Sequence, residues 1–257
     1  MRRSLVAFAV GALAGCGFLV DTGGLAGEGA AQDAGAEGAR VVEPALDASA
    51  PLEASTQRFC DRAPHAFCAD FEGAVFRDGW TSDSQELGGA LSLVNPTPAH
   101  PTQALLAKMP RRETAKGSAA LRKTFDMPWR RVVMNFDVYV ERPLFLTGDR
   151  NAGLVCFAFY AGSQLGGLCV SVAGDYVAFG VDKPPLRYDT WLHATFDVDP
   201  IGKLARAEID GVVFQSHFSP PATGEAQRME IELGVLGYNV PAPAFAVTYD
   251  DITIDLP

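Results

Sequence analysis

The chain has 257 residues, enough for one large β-sandwich or two small domains. It carries 31 acidic against 21 basic side chains, a formal charge of -10. That excludes a general nucleic-acid or anionic-membrane surface, because neutralising phosphates needs clustered Lys and Arg.

Met1-Arg2-Arg3 is a positive n-region, and Leu5 to Leu13 is an apolar run too short to span a bilayer as a stable helix. Leu13-Ala14-Gly15-Cys16 follows. These three parts, in this order, resemble the signal and lipobox of bacterial lipoproteins, in which the Cys is diacylated and becomes the new N-terminus. The alternative is an ordinary secretory signal with an incidental Cys. The resemblance implies a signal peptide over residues 1–15 and a membrane anchor at Cys16. Gly17 stands where that family's inner-membrane retention signal has Asp. The implied address is therefore the bacterial cell envelope, as an outer-membrane lipoprotein facing the periplasm or the cell surface.

Residues 16–57 hold the lipidated Cys and a segment rich in Gly, Ala, Asp and Glu, with Arg40 as its one base and Phe18 as its one aromatic. Such a composition cannot bury enough apolar surface to offset chain entropy. It reads as a flexible, self-repelling tether; an Ala-rich helix is the alternative, and the repeated Gly argues against it.

Residues 58–257 read as the folded domain. Cys60 and Cys68 bracket a short polar loop, and in an exported protein such a pair closes a disulfide; a zinc site using His65 is the alternative, short of ligands. Phe67 to Glu72 reads as the first strand. Leu91 to Val94, Ala104 to Ala107 and Ala119 to Phe125 are short strands between Pro- and Gly-rich turns. From Arg130 to Glu141, Val132, Met134, Phe136, Val138 and Val140 share one face, with Asn135, Asp137 and Tyr139 on the other: a sandwich strand with one wet side. Leu154 to Tyr160 and Leu165 to Val172 form a hairpin around Ala161-Gly162-Ser163-Gln164. If Ala161 opposes Gln164, Cys156 directly opposes Cys169 and a cross-strand disulfide follows. Tyr176 to Val181 adds a strand.

From Tyr188 to Phe214 the sequence reads as three strands and two hairpins. Leu192, Ala194, Phe196 and Val198 alternate with polar residues; Pro200-Ile201-Gly202-Lys203 is a turn; Leu204 to Ile209 alternates again. Asp210-Gly211 suits a two-residue type I′ turn, which needs positive φ at both positions. Pairing Asp199 with Leu204 puts Val198, Phe196 and Ala194 opposite Ala205, Ala207 and Ile209 on one apolar face, and Asp197 opposite Arg206 on the other as an expected ion pair. Met229, Ile231, Leu233 and Val235 alternate with Glu230, Glu232 and Gly234. In Phe245 to Leu256 the apolar phase changes at Asp250-Asp251, which predicts a β-bulge. Strands at regular spacing with turn signals mean an all-β, two-sheet antiparallel sandwich.

The stretch W-L-H-A-T-F-D-V-D … A-E-I-D-G also resembles the signature of laminin-G-like domains, in the concanavalin A-like lectin/glucanase superfamily. The resemblance extends more weakly from Phe67 to Leu256. It implies a jelly roll of two antiparallel sheets, with Trp191 in its core. It is specific for fold and unspecific for function.

Retaining glucanases of that superfamily carry a signature similar to E-x-D-x-E on one strand. Here Glu208-Ile209-Asp210 is followed by Gly211, Val212 and Val213 where the second Glu would stand, and Asp210 is better used in the turn. Glu230 and Glu232 share a face, read as solvated. Asp70 and Glu72 in the first strand, with Asp250 and Asp251 in the last, resemble the acids of carbohydrate-binding modules with a structural calcium ion; the alternative is that they face solvent or accept from turn amides. Sugar binding uses aromatic faces beside polar groups, and Trp129, Asp137, Tyr139, Tyr160 and Tyr176 are the candidates. The expected function is a tethered, non-catalytic binding module for glycan. The alternatives are a glucanase-like or lyase-like enzyme, and an adhesive envelope protein that binds another protein.

Overall fold

The computed structural model describes residues 58–95, 102–111, 113, 117–143, 151–174, 176–179, 184–221, 227–236 and 244–257. The chain divides into Met1–Leu52 and Glu53–Pro257, and all the described residues belong to the second unit. The expected signal segment, Cys16 and the tether lie outside the described residues. No helix among the described residues is long and apolar enough to cross a membrane.

After a short 3-10 turn at Phe59–Asp61, the described strands in chain order are β1 (Phe67–Ala69), β2 (Ser82–Glu86), β3 (Ala90–Val94), β4 (Ala104–Met109), β5 (Ser118–Phe125), β6 (Val132–Val140), β7 (Asn151–Ala161), β8 (Gln164–Ala173), β9 (Tyr176–Ala178), β10 (Trp191–Asp199), β11 (Leu204–Ile209), β12 (Val212–His217), β13 (Gln227–Leu236) and β14 (Phe245–Asp255). They form an eight-stranded sheet in the order β12-β11-β10-β6-β14-β4-β3, with β1 also on β14, and a six-stranded sheet in the order β2-β5-β13-β7-β8-β9. Neighbours are antiparallel, and the two inner faces share one apolar core. This is the expected two-sheet jelly-roll sandwich.

Alternation decides which face each side chain takes. In β6 the odd-numbered residues Val133, Asn135, Asp137 and Tyr139 are half-buried, while Val132, Met134, Phe136, Val138 and Val140 are buried. The β10–β11 register is the expected one, from Asp199 opposite Leu204 to Ala194 opposite Ile209. Asp210 and Gly211 take φ of 49° and 80°, as the type I′ turn requires. Ala161 opposes Gln164, Cys156 opposes Cys169, and that disulfide closes with Cα atoms 4.1 Å apart; Cys60 joins Cys68. The zinc alternative at His65 gives way to this disulfide, and His65 Nδ1 lies 3.0 Å from Asp255.

The last strand organises the eight-stranded sheet. One edge of β14 carries β4 along Phe245 to Tyr249 and then β1 along Ile252 to Ile254. Between them the register against β6 slips from Asp250 to Thr253, and Asp251 adopts φ of 50°. This is the expected bulge, and it returns Ile252 and Ile254 to the core. A second bulge, which apolar periodicity did not signal, sits in β13 between Leu233 and Leu236. Gly234 takes φ of 145° there, and a Cβ would lie 2.1 Å from the Ala119 carbonyl, so the site admits only glycine. Tyr249 uses this irregularity: its hydroxyl crosses the core from β14 to lie 3.0 Å from the Leu154 and Gly234 carbonyls of the other sheet.

Two expectations are corrected, and one strand is added. Arg206 does not pair with Asp197; the Asp197 carboxylate takes both arms of Arg131, at 2.6 and 2.5 Å, and Arg206 lies 3.5 Å from Glu208. Arg131, the residue before β6, makes a bidentate contact that occupies both carboxylate oxygens. Trp191 is not in the inter-sheet core, because its parity opposes that of Leu192. Strand β2, with sequence S-D-S-Q-E, has no apolar alternation and was not expected; it is an edge strand held by β5.

Candidate functional site

Strands β6 and β10 lie side by side in the eight-stranded sheet, so their outward residues meet in rows. Trp191 stands opposite Tyr139, His193 opposite Asp137, and Thr195 opposite Asn135. On the other edge of β6, Thr248, Asp250 and Thr253 of β14 stand opposite Tyr139, Asp137 and Asn135. The outer surface is therefore a ladder with an aromatic end and a polar continuation.

At the aromatic end the Trp191 and Tyr139 rings lie 5.8 Å apart, inclined by 51°. With Val94, Asn95, Leu106, Glu141 and Thr248 they line a depression of about 310 Å³. The Tyr139 phenol is pushed above the usual tyrosine range by loss of solvent, and further by the negative charges of Asp189 and Glu141. It stays protonated at neutral pH and can donate a hydrogen bond.

In the next row His193 Nδ1 lies 2.7 Å from Asp137 Oδ1. The His193 backbone N–H donates to the Asp210 carboxylate at 3.1 Å, and Asp210 is paired with Arg187. Asp250 is fully buried; it accepts the Thr102 hydroxyl at 2.6 Å and the Asp251 N–H at 2.9 Å. One row further, the Thr195 hydroxyl donates to Asn135 Oδ1 at 2.8 Å and Asn135 Nδ2 donates to Thr253 at 3.2 Å. These bonds fix rotamers before any ligand arrives, which lowers the entropy cost of binding.

The outer face of the six-stranded sheet carries a different cluster. Glu230, only 7 % exposed, lies 3.2 Å from Arg228 and 3.6 Å from Arg122, and accepts the Tyr160 hydroxyl at 3.1 Å. Arg122 also donates through Nε to Glu232 at 2.8 Å, and the Arg228 guanidinium lies 4.2 Å over the Tyr160 ring. Burial and the Glu230 charge push the Tyr160 phenol up. The arginines and carboxylates saturate one another, so this cluster ties β5, β13 and β7 together more than it presents a binding face.

The sequence candidates therefore separate. Asp137 and Tyr139 belong to the eight-stranded outer face, Tyr160 to the arginine cluster, and Tyr176 to β9 at the sheet edge, half-buried. Trp129 is buried at 5 % exposure, packs on Phe159 and donates its indole N–H to the Arg228 carbonyl at 3.2 Å, so it presents no sugar-facing surface. Glu230 is not solvated as expected: basic partners from β5 and its own strand cover it. Three of the four acids considered for calcium are engaged by nearby donors: Asp70 by the Glu72 N–H at 3.3 Å, Glu72 by the Gln103 N–H at 2.8 Å, and Asp250 by the Thr102 hydroxyl and the Asp251 N–H. Among the described residues no three His, Cys, Asp or Glu side chains gather as metal ligands. Trp191 was expected in the core, and His193, read on the polar face, was not named as a site residue, although the alternation of Leu192, Ala194 and Phe196 turns both outward side by side.

No protein-family model matches the sequence, and no curated protein matches it. Among solved structures, the endo-β-1,4-glucuronan lyase of the fungus Trichoderma reesei superposes with a TM-score of 0.57 at 10% identity, over 76% of this chain and 96% of that one. The cellulose-induced protein Cip1 gives 0.54 at 13% identity, over 73% and 96%. At such identities the likeness is one of fold alone, a two-sheet jelly-roll sandwich.

Proposed function

We propose that this domain is a non-catalytic carbohydrate-binding module whose site is the outer face of the eight-stranded sheet. The observation that carries it is the Trp191–Tyr139 pair, two aromatic rings 5.8 Å apart in a depression whose rim also holds Asn95, Glu141 and Thr248. Apolar ring faces take up the C–H face of a sugar, and fixed polar groups beside them take its hydroxyls. The ladder of Asp137, His193, Asn135 and Thr195 continues in one direction and offers further hydroxyl partners to a chain of sugars. Cys16, acylated, would anchor the chain, and the acidic tether would hold the domain off the envelope membrane.

A second reading, a polysaccharide lyase, has one observation in its favour. His193 bonded to Asp137 stands diagonally beside Tyr139, an acid–base set on a fold shared with a glucuronan lyase. Against it, a tyrosine that removes a proton needs a lowered pKa, and Tyr139 is shifted upwards. Abstraction next to a uronate carboxylate also calls for groups that offset its negative charge, whereas Asp137 and Glu141 add negative charge to this region.

The test is a glycan array on the full chain, followed by incubation of each bound glycan and of glucuronan. The proposal expects saturable binding, affinity lowered about tenfold to a hundredfold in Trp191→Ala, and no shortening of the polymer. Unsaturated chain ends released by the wild type and not by His193→Ala would replace it with the lyase.

A further inference from the structure

The depression at Trp191 has a charge as well as a shape. Of its lining side chains Glu141 alone is charged. The Glu141 carboxylate is exposed and, among the described residues, makes no hydrogen bond or ion pair. The nearby cations are turned elsewhere. The Arg142 guanidinium lies over the Tyr188 ring at 4.9 Å, close to Asp189, and its backbone N–H also donates to that carboxylate. His193 is bonded to Asp137, and Arg187 to Asp210. Lys108 lies beyond Ala246 on the same face and makes no ion pair with Glu141. A ligand entering between the two rings thus meets two π-faces and one carboxylate without a counter-ion.

We infer that this site selects amino sugars, whose ammonium group sits between the Tyr139 and Trp191 rings and the Glu141 carboxylate. An ammonium gains from an aromatic face within about 6 Å of the ring centroid and from an unpaired carboxylate beside it, and a uronate is repelled by the same group. The inference rests on the carbohydrate-binding proposal and specifies its ligand class. The Tyr139 phenol is pushed up first by loss of solvent and then by the charges of Asp189 and Glu141, and the second contribution agrees with it.

The experiment is calorimetric titration of the full chain, at slightly acidic pH, with β-1,4-linked oligomers of matched length: glucosamine, N-acetylglucosamine and glucuronate. Glucosamine is expected to bind about tenfold or more tightly than its N-acetylated form, and glucuronate not at all. The Glu141→Gln change should bring that preference close to unity. In the wild type added salt should erode it, a readout that does not depend on the variant folding. Equal affinities for amine and acetamide would overturn the amino-sugar inference and leave the carbohydrate proposal standing. Glucuronate binding tightest would overturn the inference by reversing the sign of the charge. Retention of none of the oligomers, on the titration or on the glycan array, would remove both.

Discussion

Tyr249 shows how one side chain can join two sheets. It is fully buried, and its hydroxyl meets the Leu154 and Gly234 carbonyls where the register of the six-stranded sheet slips. Tyr249→Phe keeps the ring and strands both acceptors, so chemical denaturation should register a loss of about 1–2 kcal/mol. Burial also pushes its phenol well above the ordinary tyrosine range. For a group whose pKa rises on folding, the stabilisation is whole below the unfolded value and is lost as pH climbs towards the folded one. Thermal melts should therefore hold level up to about pH 10 and fall beyond it, less steeply in Tyr249→Phe. A melting curve flat across that range would contradict the burial of the hydroxyl. At the outer face, Trp191 is a lesson in parity. Its partner residues were legible as a strand, and its neighbours Leu192 and Ala194 point to the core, yet the family resemblance drew it inward against its own alternation.

Elements whose apolar side chains alternate were legible, because a one-residue slip would move a whole apolar set into water. That is why the β10–β11 register, the Cys156–Cys169 pairing and the β14 bulge follow from residues alone. β2 was not legible, since its five residues S-D-S-Q-E make an edge held by backbone bonds rather than by burial. The Glu230 cluster was hidden for another reason: its members come from β5, β7 and β13, and their meeting depends on strand order, which no local pattern encodes. Two predictions belong to this scale. Replacing Cys156 and Cys169 together by Ala should cost about 2–3 kcal/mol in urea unfolding, the worth of a short closed loop. At the β14 bulge, where neighbouring N–H and O–H groups already satisfy Asp250, EGTA should leave Tm unchanged; a rise in Tm with added Ca²⁺ would show that the carboxylates assemble around a metal after all.

At the scale of the whole molecule, an expected lipid anchor and an expected acidic tether precede a sandwich with one dressed outer face. Cys16→Ser should release the protein from the membrane fraction or leave it unprocessed, and a variant that still fractionated with the outer membrane would remove the anchor. The two outer faces differ in kind. One pairs its charges internally around Glu230, and the other sets two aromatic rings beside a polar ladder. Function is assigned to the second, and intrinsic fluorescence can tell the faces apart, because Trp80 and Trp129 are buried while Trp191 lines the depression. The direct measurement is a fluorescence titration of the wild type, Trp191→Phe and Tyr160→Ala with the tightest glycan found on the array. The account predicts a saturable change in the wild type and in Tyr160→Ala, with the signal lost and the affinity reduced in Trp191→Phe. An undiminished affinity in Trp191→Phe, with binding abolished by Tyr160→Ala, would contradict it and move the site to the six-stranded sheet.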